Sequence, residues 1–277
     1  MKISTYLLLL LIGGLVASCT PREKQEDASG AALSTTSQAV AVAYQAESQD
    51  SLVFTLDYLR GRFDPATHPD FTLVDAALTD GDGTYYLRKD TYAAFRKMHA
   101  AAKADGVALT IISATRNFDR QKSIWEAKWT GARLLEGTEK APEAYPEPVD
   151  RALAILRWSS MPGTSRHHWG TDLDMNDLTN EYFAKGKGLK EYNWLVAHAH
   201  EYGFCQPYSP KGADRPHGYN EEKWHWSYMP VSKVLTELAR QQLTDEQIDG
   251  FKGAEVATRI GVVDKYILGI NEGCLGH

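Results

Sequence analysis

Residues 165–175 read Ser165-Arg166-His167-His168-Trp169-Gly170-Thr171-Asp172-Leu173-Asp174-Met175. Two imidazoles stand a short turn before a glycine. After it, Thr171–Met175 alternates as a short strand, with Asp172 and Asp174 on one face. Neutral imidazole and carboxylate are good zinc donors, and a catalytic zinc takes three protein ligands and keeps one position for water. Two histidines and one aspartate would supply that set. Surface histidines and strand-end aspartates are common, so spacing alone leaves both readings open.

Working outward, Lys223–Met229 reads as an aromatic strand preceded by Glu221-Glu222, and the β-branched run Val107–Ser113 as a buried strand. A helix is expected over Thr91–Ala104, with Asp90 as N-cap, Phe95, Met98 and Ala102 on one face, and Gly106 as the stop. Further helices are expected over Phe118–Leu134, Pro148–Trp158, Glu191–Tyr202 (closed by Gly203), Val231–Gln242 and Val256–Leu268. Strands and helices mix without a regular βαβ beat, so the pattern fits α+β better than a doubly wound sheet.

The 277-residue chain is 43% hydrophobic and 24% charged, enough to bury a core. Its 30 basic against 36 acidic residues give a net charge of −6, which argues against a nucleic-acid protein held by phosphate contacts. No apolar run reaches the ~20 residues of a membrane span, so a multi-pass membrane protein is excluded. Lys2 followed by the apolar stretch Tyr6–Ala17 matches a secretory signal. The run Val16-Ala17-Ser18-Cys19 resembles the bacterial lipobox, which implies cleavage after residue 18 and a lipid on Cys19. The expected organisation is a signal peptide over 1–18, a flexible tether over 19–50, rich in polar residues, and one domain over 51–277. Cys205 and Cys274 are then the only other cysteines, in a compartment where disulfides persist. They either pair or remain two separate thiols.

The blocks Ser165, His167, Gly170 and Asp174, then Glu222, Trp224 and His225, resemble the motifs of the VanY-type zinc D-alanyl-D-alanine carboxypeptidases. This family shares its metal site with lysostaphin and hedgehog proteins. The upstream Ser113-Ala114-Thr115-Arg116 with Gln121 resembles the family's Ser-x-x-Arg and following Gln. The resemblance spans roughly Thr110 to Met229. It implies a small, mostly antiparallel sheet carrying one Zn²⁺ per chain, ringed by helices. It implies His167, Asp174 and His225 as the metal ligands, Glu222 as the general base and Arg116 as the group that holds the substrate carboxylate or the developing oxyanion. Ser113, Gln121 and Ser165 would contact substrate. His168 does not fit the ligand register, because Met175 lies seven residues on. Strict alternation would put Glu221, not Glu222, on the face of His225, so the family assignment requires a bend there. Asp172 departs from the family, which usually has a small residue at that point. It would touch the substrate amine, tune a ligand or pair with Arg166.

The function this implies is removal of a C-terminal D-alanine from peptidoglycan stem peptides, by a monomer anchored through lipid to the membrane and facing the periplasm or exterior. An endopeptidase using the same zinc site is the alternative. A non-catalytic wall-binding lipoprotein is a third reading, against which Glu222 argues, since a structural metal needs no base.

Overall fold

The structure is a computed structural model describing residues 54–81 and 83–275. The expected signal peptide, Cys19 and the tether lie outside the described residues. Two short strands, β1 (Phe71–Leu73) and β2 (Tyr86–Arg88), pair antiparallel. A second antiparallel sheet has the order β3-β4-β6-β5, built from β3 (Ile111–Ser113), β4 (Asp172–Met175), β5 (Phe204–Cys205) and β6 (His225–Tyr228). The helices are α1 (Leu56–Leu59), α2 (Lys89–Ala104), α3 (Phe118–Trp129), α4 (Ala141–Ala144), α5 (Pro148–Ile155), α6 (Gly186–His198), α7 (Met229–Gln242) and α8 (Ala257–Ile260). The class is α+β with a small antiparallel sheet, as expected.

The second sheet separates two environments. Ile111, Leu173, Met175 and Trp226 pack with Phe95, Met98 and Ala102 of α2 and Trp194 and Leu195 of α6. Asp172, Asp174, His225 and Ser227 alternate onto the opposite face. A second cluster gathers Trp125 of α3, Ile155 of α5, Leu235 of α7 and the C-terminal Val262 and Ile267. None of the described helices is long and apolar enough to cross a membrane.

Several expected boundaries shift for local reasons. Helix α2 begins at Lys89, because Asp90 sits in its first turn, bonded to Arg88 and to the Thr91 amide. Only Ile111–Ser113 of the expected strand pairs, although Val107 and Leu109 are buried. Helix α3 ends at Trp129 and not at Leu134, since Gly131 at φ 79° takes a left-handed conformation. The aromatic strand begins at His225. The expected C-terminal helix is broken at Gly261 into α8 and a π turn over Val263–Ile267.

Cys205 of β5 and Cys274 form a disulfide that closes a separation of 69 residues. Chain-entropy reasoning gives such a bridge about 4 kcal/mol through the unfolded state. Replacing both cysteines by serine should therefore lower unfolding free energy by up to that amount in denaturant titration. Two titratable thiols in the denatured, unreduced protein would contradict the bridge.

Candidate active site

Register assembles the site. Ser113 of β3 lies opposite Asp174 of β4, and Asp174 lies opposite His225 of β6. Cross-strand partners have Cβ atoms about 4.5–5.5 Å apart, so three side chains far apart in sequence form one row. His167 joins them from a 3₁₀ turn, Arg166–Trp169, that ends at Gly170 with φ 72°. A Cβ at Gly170 would also lie 2.4 Å from the Phe71 ring. Only glycine satisfies both the left-handed backbone and this close approach.

Three hydrogen bonds stitch that turn to the loop after β3. His167 Nδ1 meets Ala114 O at 2.8 Å, the Arg116 amide donates to His167 O at 3.2 Å, and His168 Nδ1 meets Arg116 O at 2.5 Å. His168 is thereby a buried structural histidine, whose Nε2 also accepts from the Gly163 amide.

His167, Asp174 and His225 are 2%, 4% and 3% exposed, and their donor atoms lie within 4.8 Å of one another. His167 Nε2 is 3.3 Å from Asp174 Oδ2, and His225 Nδ1 is 3.1 Å from Asp174 Oδ1. Tetrahedral ligation at the usual ~2.0–2.1 Å spaces donors by roughly 3.3 Å. The second nitrogen of each ring is committed elsewhere: His167 Nδ1 to Ala114 O, and His225 Nε2 to Asp172 Oδ2 at 2.8 Å. Both bonds place the ring proton away from the cluster and leave a lone pair aimed into it. Among the described residues, His167 Nε2 and Asp174 Oδ1 are buried with no hydrogen-bond partner. Buried polar atoms are costly unless satisfied. The donor set therefore fits a zinc ion with one position left open.

Asp172 is fully buried behind His225. Its Oδ2 accepts from Arg166 Nε at 3.1 Å and meets His225 Nε2, and its Oδ1 accepts from Thr171 and Ser227 hydroxyls. Arg166 is closed by Thr236 and Ser227 and lies over the Trp169 ring. Of the roles expected for Asp172, the pairing with Arg166 is the one seen and contact with substrate is corrected: every acceptor position faces protein, and the residue orients the His225 ring. Burial opposes its charge, but Arg166 and His225 outweigh it and hold the carboxyl well below the usual range. Asp172→Asn should leave Arg166 buried without its counter-charge and cost about 3–5 kcal/mol, read as a lower denaturation midpoint. Because the folded value is depressed, this contribution is present above the ordinary carboxyl range, near ~3.9, and is lost as pH falls through the folded value. An unchanged midpoint would reject this account.

Glu222 reaches the cluster through the bend that alternation alone did not predict. Strand β6 starts at His225, and a turn precedes it in which the His225 amide donates to Glu222 O at 3.3 Å. Glu222 Oε2 lies 3.4 Å from His225 Nδ1. Its backbone is pinned by Tyr208 O, which accepts from its amide, and by Gln206 Nε2, which donates to its carbonyl. Burial pushes the carboxyl up to about 8, with Asp174 adding and His225 and Arg116 opposing. Glu221 does not line the cleft.

The cluster opens on a cavity of about 1240 Å³. Arg116 lies on its wall, with Nη1 donating to Ser113 Oγ at 2.6 Å and Nε to Gln121 Oε1 at 3.0 Å. Gln121 Nε2 donates to Ser160 O, so both ends of this amide serve to hold Arg116. Ser113 borders the cavity. Ser165 does not: its hydroxyl is buried at the N-terminus of the 3₁₀ turn, away from the cavity lining, which corrects its substrate-contact expectation. Trp224, the motif residue before the strand, lines the cavity stacked on Trp158 at 5.9 Å. Lys128 was missed. It stands seven residues after Gln121, on the same face of α3.

A family model described as VanY, D-alanyl-D-alanine carboxypeptidase, matches residues 84–231. Among curated proteins the chain is 30% identical over 154 residues to YodJ of Bacillus subtilis, to which a carboxypeptidase role is ascribed; the match covers 54% of this chain and 50% of YodJ. It is 28% identical over 150 residues to a D-alanyl-D-alanine carboxypeptidase of Enterococcus faecalis, covering 53% and 49%. The chain thus spans about half the length of these curated relatives. Among solved structures, a mutant of the vancomycin-resistance D,D-pentapeptidase VanY in complex with Zn(II) aligns with TM-score 0.43 and 25% identity, covering 64% of this chain and 88% of that one. The LdcB LD-carboxypeptidase aligns with TM-score 0.46 and 20% identity, covering 76% and 81%.

Proposed function

The chain belongs to the VanY family of D-alanyl-D-alanine carboxypeptidases, and from that premise we propose that it removes a C-terminal D-alanine from peptidoglycan stem peptides with one zinc ion per chain. The observation that carries the reading is a buried carboxyl, Glu222, 3.4 Å from the ligand-side nitrogen of His225 and beside three convergent donors at the end of an open cleft. His167, Asp174 and His225 would hold the metal. When bound, it supplies Lewis-acid polarisation of the scissile carbonyl and lowers the pKa of the attacking water.

The rest of the reaction falls to side chains of this chain. Glu222 takes the proton from the attacking water and returns it to the leaving amine. Arg116 holds the substrate's terminal carboxylate in a charge-assisted pair, its guanidinium fixed by Ser113 and Gln121. Asp172 keeps the His225 ring turned so that Nδ1 faces Asp174 and the donor cluster that would hold the metal.

Mass spectrometry of peptidoglycan fragments before and after incubation tests this reading. Loss of one terminal alanine supports it. Release of longer pieces reassigns the activity to the endopeptidase alternative, and unchanged fragments refute hydrolysis. The proposed address is the cell envelope, with residues 51–277 as the catalytic domain on the 19–50 tether, anchored through Cys19. Cys19→Ala should abolish incorporation of labelled fatty acid; equal labelling of the variant would reject the anchor.

A further inference from the structure

One cation in the cleft wall takes no part in the arrangement above. Lys128 of α3 lines the cavity, and its ammonium donates to Ser159 Oγ at 2.6 Å. Among the described residues no carboxylate oxygen lies within 4.0 Å of that ammonium. Burial pushes the group down to about 8, with Arg133 and Arg116 adding and Glu222 and Glu136 opposing. A desolvated ammonium is costly to keep without an anion, and an anion entering the cleft would offset that cost.

Its place relative to Arg116 gives the pairing a length. Gln121 and Lys128 are seven residues apart on α3, two turns along one face, or about 10 Å at ~1.5 Å per residue. Gln121 holds Arg116, and consecutive residues of one loop serve both cations: Ser160 O accepts from Gln121, and Ser159 Oγ accepts from Lys128. Two cations thus share one wall, their anchoring positions on α3 set apart by roughly the reach of two or three residues of extended peptide, at ~3.3–3.6 Å each.

We infer that Lys128, steadied by Ser159, is the cationic end of a second carboxylate subsite, which selects peptides bearing a free side-chain carboxylate two or three residues before the terminal carboxylate. The inference rests on the carboxypeptidase reading for the position of that terminal carboxylate at Arg116. The class of ligand is an acidic peptide, discriminated from one whose carboxylate is amidated.

The test is calorimetric binding to the full-length, zinc-loaded protein in a Glu222→Gln background, so that turnover does not consume the probe. Two peptides ending in D-alanyl-D-alanine are compared, one with a side-chain carboxylate on the third residue from the C-terminus, the other with the carboxamide. The acidic peptide should bind about tenfold more tightly or better, the gain expected of one charge-assisted pair. That ratio should collapse toward one in Lys128→Met and return in Lys128→Arg. Equal affinities with Lys128 present would overturn the subsite, even if Lys128→Met failed to fold. So would a ratio that survives in a folded Lys128→Met protein. The expected ratio together with no shortening of either peptide by the wild-type protein would refute the carboxypeptidase reading and leave the subsite standing.

Discussion

Glu222→Gln should lower peptidase turnover by roughly 10²–10⁴-fold, the usual contribution of a positioned general acid–base group, while zinc content and fold remain those of the wild type. The amide keeps the size of the side chain and leaves the main-chain bonds to Tyr208 O and Gln206 Nε2 untouched, but it cannot accept a proton from water. Glu221→Ala should be nearly silent, since that residue lies off the cavity lining. A dead Glu221→Ala enzyme beside an active Glu222→Gln enzyme would reverse the assignment.

The pH profile gives an independent reading. Burial holds the Glu222 carboxyl up at about 8, so the base is protonated at low pH and the rate should climb as pH rises. A neighbouring dication pulls that value down, which puts the acid limb of the loaded enzyme below pH 8. The limb should be absent from the residual rate of Glu222→Gln.

Removing the metal should have an effect at least as large. Lewis-acid stabilisation supplies several kcal/mol of transition-state energy, so exhaustive chelation should cost roughly 10³-fold or more. Zinc alone should restore the rate. Purified protein should bind one equivalent, and His167→Ala should lose it. Full occupancy in that variant would reject the ligand set. Uptake should also release protons. In the metal-free protein the Asp172 and Asp174 carboxylates outweigh burial and push His225 up to about 9, whereas ligation needs the neutral ring, its one remaining proton on Nε2 toward Asp172. Metal affinity should therefore weaken as pH falls, and proton release on loading in weak buffer measures it directly.

The sequence by itself determined the helices whose apolar positions recur at helical spacing. It also placed the short strand Asp172–Met175, because an alternating run bounded by Gly170 carries its own local instructions. Residue by residue, the ligand candidates, Glu222 and Arg116 were legible through motif order, and the two cysteines through their count. What remained out of reach was set by pairing between distant segments. Strands β1, β2 and β5 are two or three residues long, too short to show a period, and exist only because a partner supplies their hydrogen bonds. The cross-strand register alone brought Asp174 opposite His225. The turn before β6 swung Glu222 into the cluster and Trp224 onto the cleft wall, against the alternation expected of one continuous strand. Tertiary burial turned Asp172 from a candidate substrate contact into the partner of His225 and Arg166, since a carboxylate sealed behind a ligand must satisfy its oxygens with protein donors. Lys128 carries no motif, and its lack of an anionic partner among the described residues is a property of the surrounding wall, which no local stretch of sequence encodes.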